Sequence, residues 1–211
     1  ISEMLTNTTT NPATATYILQ LTANGCSNTQ NLSVLVNPKP ALNSTLSPVA
    51  VCSGSLFSYP PVSNQDPNVS FSWSRAAVAG ISNGAATGTN SPDETLTNTS
   101  LSTLQVNYVY NLLNNATGCT NTQTVSVNIK PVPVLSSSTT DVTQCSGSSF
   151  TYSPTSLLAG TNITWSRASL PGISPNSGLG NGNISEVLVN NSNINPVTAT
   201  YVFTLSNTGC T

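Results

Sequence analysis

The sequence predicts an all-β protein built from tandem β-sandwich repeats of about 92 residues. Three observations carry that expectation. Short identical strings recur at one spacing, apolar residues alternate with period two, and turn dipeptides separate the alternating runs.

The recurrence is plain in the residues. Val51-Cys52-Ser53-Gly54-Ser55 followed by Phe57-Ser58-Tyr59 returns as Gln144-Cys145-Ser146-Gly147-Ser148 followed by Phe150-Thr151-Tyr152. Trp73-Ser74-Arg75-Ala76 returns as Trp165-Ser166-Arg167-Ala168, and Gly80-Ile81-Ser82 as Gly172-Ile173-Ser174. Ile184-Ser185-Glu186 matches Ile1-Ser2-Glu3 two periods away, with Asp93-Glu94 between them. Tyr17, Tyr108 and Tyr201 open equivalent strands, and Cys26, Cys119 and Cys210 follow the turn after each. The spacing divides the chain into the back half of one unit (1–40), one whole unit (41–133) and a third unit without its last strand (134–211). On this division the chain is expected to be an internal fragment of a longer protein.

Within a unit, Val69, Phe71 and Trp73 alternate with Ser70, Ser72 and Ser74, the period of a half-buried strand. Tyr108, Tyr110 and Leu112 follow the same rule, as do Val125, Val127 and Ile129. Asn24-Gly25, Asn83-Gly84 and Asn181-Gly182 supply turns. Seven or so short strands without a helical period predict a sandwich. Asn37-Pro38-Lys39-Pro40 and Lys130-Pro131-Val132-Pro133 fall at the unit boundaries, where proline favours extended, stiff joints.

Composition excludes several functions. Only 5% of the residues are charged, against roughly 25% in an ordinary soluble domain, and the net charge is −2. Such a chain has no field to attract nucleic acid or an anionic membrane. No apolar run is long enough to cross a bilayer as a helix, so no membrane insertion is expected. Histidine is absent, which removes the usual general base and zinc ligand, and no cofactor or metal is expected. Asp93 and Glu94 are adjacent on a strand and point to opposite faces, so they form no catalytic carboxylate pair. Gly178, Gly180 and Gly182 lack the lysine and helix of a phosphate loop. The chain is not expected to be an enzyme.

Four residues of each unit are singled out. Arg75 shares an inward parity with Trp73, and Arg167 with Trp165; Glu94 shares one with Leu96, and Glu186 with Leu188. Isolated buried charges are costly, so the pairs Arg75–Glu94 and Arg167–Glu186 are expected as structural salt bridges at the edge of the core. An arginine-centred site for an anionic sugar is the functional alternative. Trp73, Trp165, Tyr108 and Tyr201 are expected as core anchors, the tryptophans in preference to sugar-stacking platforms. The Asn-x-Ser/Thr triplets read as a by-product of composition.

The five cysteines resolve once the repeat is imposed. Each full unit has an early and a late cysteine, so the expected disulfides are Cys52–Cys119 and Cys145–Cys210, with Cys26 left unpaired. Loops of that length contribute roughly 4 kcal/mol in the chain-entropy model. Disulfides imply export from the cytoplasm.

Taken together, the Cys-Ser-Gly-Ser-x-Phe-Ser/Thr-Tyr opening, the Trp-Ser-Arg-Ala-x-x-x-Gly-Ile-Ser centre, the Ile-Ser-Glu strand start and the Gly-Cys-x-Asn-Thr-Gln close resemble one family. It is the PKD-like (Ig-like) repeat of giant Bacteroidetes surface adhesins, including SprB-type gliding-motility adhesins. The resemblance implies type IX secretion, an extracellular location attached to the outer membrane, and adhesion while a motor moves the adhesin along the cell. Its partners would be extracellular surfaces or polysaccharides, with anchoring and gliding machinery engaged through other parts of the protein. The alternative is a spacer or carbohydrate-binding module of a secreted polysaccharide-degrading enzyme.

Overall fold

The computed structural model describes residues 1–192 and 194–211. The described residues form strands, turns and extended segments, with no helix among them. In chain order the strands are β1 (Ala13–Ala23), β2 (Cys26–Val36), β3 (Val51–Cys52), β4 (Leu56–Phe57), β5 (Val69–Arg75), β6 (Ala86–Thr89), β7 (Glu94–Thr95) and β8 (Leu104–Asn114). They continue as β9 (Thr120–Lys130), β10 (Ser149–Tyr152), β11 (Asn162–Arg167), β12 (Ile173–Ser174), β13 (Gly178–Asn181), β14 (Ile184–Val187), β15 (Val189–Asn190) and β16 (Tyr201–Ser206).

The chain divides into two compact units. The first comprises residues 1–97 and 104–129, the second residues 98–103 and 130–211. The cut at 129/130 falls beside the Lys130-Pro131-Val132-Pro133 joint, and the hairpin of the first 40 residues belongs to the first unit.

In the first unit a five-stranded sheet, ordered β3-β9-β8-β5-β6, carries the core on one face. Strict alternation creates that face: Val69, Phe71 and Trp73 on β5, Tyr108, Tyr110 and Leu112 on β8, and Val125, Val127 and Ile129 on β9 are all buried. A small second sheet, β4-β7, lies against it, and the Phe57 ring stacks on Tyr108 at 5.3 Å between centroids. β1 and β2 form an antiparallel hairpin through Asn24-Gly25, both of which have positive φ. Most of that hairpin is exposed.

The second unit repeats the pairing scheme with fewer strands. Its sheets are β13-β11-β16, β10-β14 and β12-β15. The registers correspond residue by residue. Phe57 opposes Glu94 as Phe150 opposes Glu186. Trp73 lies between Gly88 and Tyr110 as Trp165 lies between Gly180 and Phe203. β8 is flanked by β5 and β9, whereas β16 pairs only with β11. Tyr108 is therefore fully buried and Tyr201 partly exposed.

Neither expected disulfide forms. Cys119 and Cys145 are free thiols, as is Cys26, while Cys52 and Cys210 are disulfide-bonded without either of them. The course of the chain gives the reason. The Asn121 side chain reaches the Pro40 carbonyl, the Gln123 side chain the Leu42 amide, and the Ser126 amide the Leu46 carbonyl. The segment leading to Cys52 thus runs alongside β9 and away from Cys119. The span from Cys119 to Ser126 alone covers roughly 23 Å of strand at about 3.3 Å per residue, far beyond the roughly 4.4–6.8 Å Cα separation of a disulfide. The course of this segment keeps the early and late cysteines of the unit apart.

Candidate functional site

The most developed polar arrangement in each unit is a three-residue tie between its sheets. Arg75 closes β5 at inward parity, directly opposite Tyr108 on β8. Glu94 opens β7 on the smaller sheet, opposite Phe57. The guanidinium engages the carboxylate with two bonds, Nε to Oε2 and Nη2 to Oε1, both 2.8 Å. Tyr108 Oη donates to Glu94 Oε2 at 2.7 Å. The Arg75 side chain is 1% exposed and that of Glu94 19%.

The second unit builds the same tie. Arg167 Nε and Nη2 donate to Glu186 at 3.1 Å each, and Tyr201 Oη donates to the same carboxylate at 2.5 Å. Two further bonds, from Nη2 to the Pro175 carbonyl and from Nη1 to the Asn176 carbonyl, tie the Arg167 fork to the loop after β12. In the hairpin part of the chain, Tyr17 Oη donates to Glu3 at 2.7 Å, the same tyrosine–glutamate contact in an exposed setting.

The electrostatics hold each group in one protonation state. Burial opposes ionisation of Glu94, but the bonds from Arg75 and Tyr108 outweigh it and keep the carboxyl below its usual range. The Arg167 guanidinium does the same for Glu186 against a smaller burial penalty. Burial and the adjacent carboxylate push Tyr108 well up and Tyr201 up to about 12. Carboxylate, guanidinium and phenol therefore stay charged, charged and neutral across the physiological range. The set is a fixed ionic tie rather than a proton relay. It also leaves no guanidinium edge for an anionic sugar, because both forward nitrogens of each arginine face glutamate and the residues are 2% and 1% exposed.

The tryptophans are seated rather than displayed. Trp73 and Trp165 are 7% and 8% exposed and meet Tyr108 and Tyr201 edge-on, with centroids 5.4 and 5.6 Å apart. Each indole lies over a cross-strand glycine. A Cβ at Gly88 would stand 2.6 Å from the Trp73 ring, and one at Gly180 2.7 Å from that of Trp165. The glycines supply the close approach that the rings require. Neither ring is available to stack on a sugar.

Three features escaped the sequence reading. The tyrosine hydroxyl of the tie is one, and the glycine seat is another; the recurrence of Gly88 as Gly180 within two short strands was its available signal. The third lies in the Asn-x-Ser/Thr triplets. Asn7, Asn98 and Asn190 each accept from the backbone amide two residues on, at 2.9 Å, and donate to a carbonyl four or five residues on. These are Asx turns shaping the loop before β1, β8 and β16. Their recurrence reflects loop geometry, not composition alone.

No protein-family model matches the chain, and no curated protein matches it.

Proposed function

We propose that this chain is a stretch of tandem Ig-like, PKD-like β-sandwich repeats in the stalk of a large secreted surface adhesin, with a mechanical and adhesive role. The observation that carries the reading is the recurrence of one inter-sheet tie at one register in both units, within a sequence that repeats at about 92 residues. An array of like units, each tied across its layers and joined by proline-containing links, suits the transmission of load along a filament. The near-absence of surface charge leaves attachment to hydroxyl and amide groups. Export and surface location rest on the disulfide-bonded cysteines and on the family resemblance.

The test is the native polypeptide. Antibodies raised against this chain are applied to intact cells of the source organism before and after protease shaving, and sheared surface protein is run under reducing, denaturing conditions. The reading expects surface label, removed by protease, and a band many times longer than 211 residues. A modest band carrying an attached hydrolase domain would replace it with the accessory-module reading.

A further inference from the structure

The cysteine positions recur with the repeat, but their bonding does not. Cys52 and Cys145 hold the early position, and Cys26, Cys119 and Cys210 the late one. Cys52 and Cys210 are disulfide-bonded, whereas Cys26, Cys119 and Cys145 are thiols. The local seat is the same in either state. At the early position the glycine two residues on has positive φ, and its amide donates to the Leu96 carbonyl from Gly54 and to the Leu188 carbonyl from Gly147, each at 2.8 Å. The cysteine carbonyl accepts from the Ser55 amide at 3.0 Å in one repeat and from the Ser148 amide at 3.1 Å in the other. At the late position, Cys119 and Cys210 each follow a glycine of positive φ, and their carbonyls accept from the Asn114 and Asn207 amides at 2.9 and 2.8 Å. Local conformation therefore does not decide which cysteine is bonded. What differs is a partner within reach, and that partner is not in the same repeat, since Cys119 and Cys145 are free.

The two positions also lie toward different joints. At the start of β9, Asn121 Nδ2 donates to the Pro40 carbonyl at 2.9 Å, which puts the Cys119 turn beside the joint that precedes its repeat. The next repeat agrees: Lys130 Nζ, in the joint before it, donates at 2.9 Å to the Thr208 carbonyl, in the turn that ends at Cys210. The segment leading to Cys52 runs along β9 from Asn121 to Ser126, in the direction of Lys130 and the joint that follows. From these observations we infer that the disulfides of this array cross the repeat boundaries, each early cysteine bonded to the late cysteine of the repeat that follows. The rule assigns Cys52 to Cys210. Resting on the array reading above, it gives Cys26 and Cys119 early partners in repeats before this stretch, and Cys145 a late partner in a repeat after it. Each bond forms as two thiols give up two protons and two electrons to the disulfide of a thiol oxidoreductase in the export compartment, which leaves as a dithiol. A covalent link past each proline-containing joint limits how far that joint extends under tension.

The chain's own cleavage sites make the test direct. The full 211-residue chain is secreted into an oxidising compartment, denatured with an alkylating agent present, and cut with trypsin. Lys39 and Lys130 precede proline and resist the enzyme, so cleavage after Arg75 and Arg167 gives the fragments 1–75, 76–167 and 168–211. Without reductant, 1–75 should stay joined to 168–211, with the alkyl group of the first fragment on Cys26, and 76–167 should be released with Cys119 and Cys145 both alkylated. Cys52→Ser should separate all the fragments, and Cys119→Ser/Cys145→Ser should leave the link unchanged. A link from 76–167 to either other fragment, or complete separation without substitution, would overturn the inference. The same map on the native polypeptide should find the positions of Cys26, Cys119 and Cys145 bonded to cysteines of adjacent repeats; free thiols there would overturn the rule for the array. A long surface polypeptide with those thiols free leaves the adhesin reading standing. A short one with the link from 1–75 to 168–211 intact removes that reading and the outside partners, and keeps the assignment of Cys52 to Cys210.

Discussion

Replacing Glu94 with glutamine keeps the shape of the tie and removes its negative charge. Arg75, 2% exposed, then keeps its cation in the core with neutral partners. Breaking a buried pair from one side costs about 3–5 kcal/mol, mostly from the uncompensated charge. The 19% exposure of the Glu94 side chain admits some solvent screening, so the lower end, about 3 kcal/mol, is expected. That is a large share of the roughly 5–15 kcal/mol stability of a whole domain. Arg75→Met alone should cost about as much as losing packing and one bonded charge, roughly 2–3 kcal/mol. The double variant Arg75→Met/Glu94→Gln has no orphaned charge and should be far less destabilised than the sum of the two.

Urea unfolding followed by tryptophan fluorescence measures this, because Trp73 meets Tyr108 of the same tie at 5.4 Å. A Trp165→Phe background restricts the signal to the first unit. A Glu94→Gln shift below about 0.5 kcal/mol, the range of ordinary surface substitutions, would contradict an orphaned charge at Arg75. So would single and double variants whose costs simply add.

Other outcomes follow from the same geometry. Gly88→Ala should destabilise the first unit by about 1–3 kcal/mol and alter the near-ultraviolet dichroism of Trp73, because the new methyl meets the indole at 2.6 Å; Gly84→Ala, with nothing within 4 Å, is the control. Stability should be level from about pH 4.5 to 10 with no histidine to titrate. Below it, the contribution of the depressed carboxyls Glu94 and Glu186, fully present above their ordinary value of 4.5, is lost as pH falls through their lowered values; above it, that of Tyr201, present below 10.0, is lost as pH rises toward about 12. A melt series that peaks sharply near neutrality would contradict this. Thiol titration of the denatured, unreduced chain should find three free cysteines, where the pairing expected from spacing leaves one. Asn98→Ala should cost about 1–3 kcal/mol, read by urea unfolding, because it removes the acceptor for the Ser100 amide and the donor to the Ser102 carbonyl at a residue 7% exposed.

What the sequence conveyed depended on whether the property was local to a strand. Alternation at Val69-Phe71-Trp73 is a statement about one strand's two faces, and β5 has those residues buried with Ser70 and Ser72 exposed. Parity likewise put Arg75 and Glu94 on inward positions, and the two side chains meet. It did not single out Tyr108 as the third member, because a tyrosine at inward parity is accounted for as core before its hydroxyl is considered. The cysteines failed for a related reason. Repeat position orders them along the chain but does not say which end of β9 each occupies, and that depends on the segment from Pro40 to Leu46 running beside β9. That segment shows no alternation strong enough to read as a strand.

The placement of charge bears on why a tie of this kind exists. The chain has 4 basic and 6 acidic residues, and two arginines and two glutamates of that small set form the two ties. A buried ion pair is a poor way to gain stability, since packed apolar residues of similar volume do as well or better. Its distinctive property is direction. An apolar contact between two sheets tolerates sliding by a fraction of a side chain, whereas a two-bond guanidinium–carboxylate pair with a third donor from Tyr108 is satisfied at one alignment of β5, β7 and β8 only. Such a tie fixes register between layers, and sliding between layers is the motion that shear along a filament would drive. The energetic cost of the buried charges and the mechanical reading of the array are thus two aspects of one arrangement.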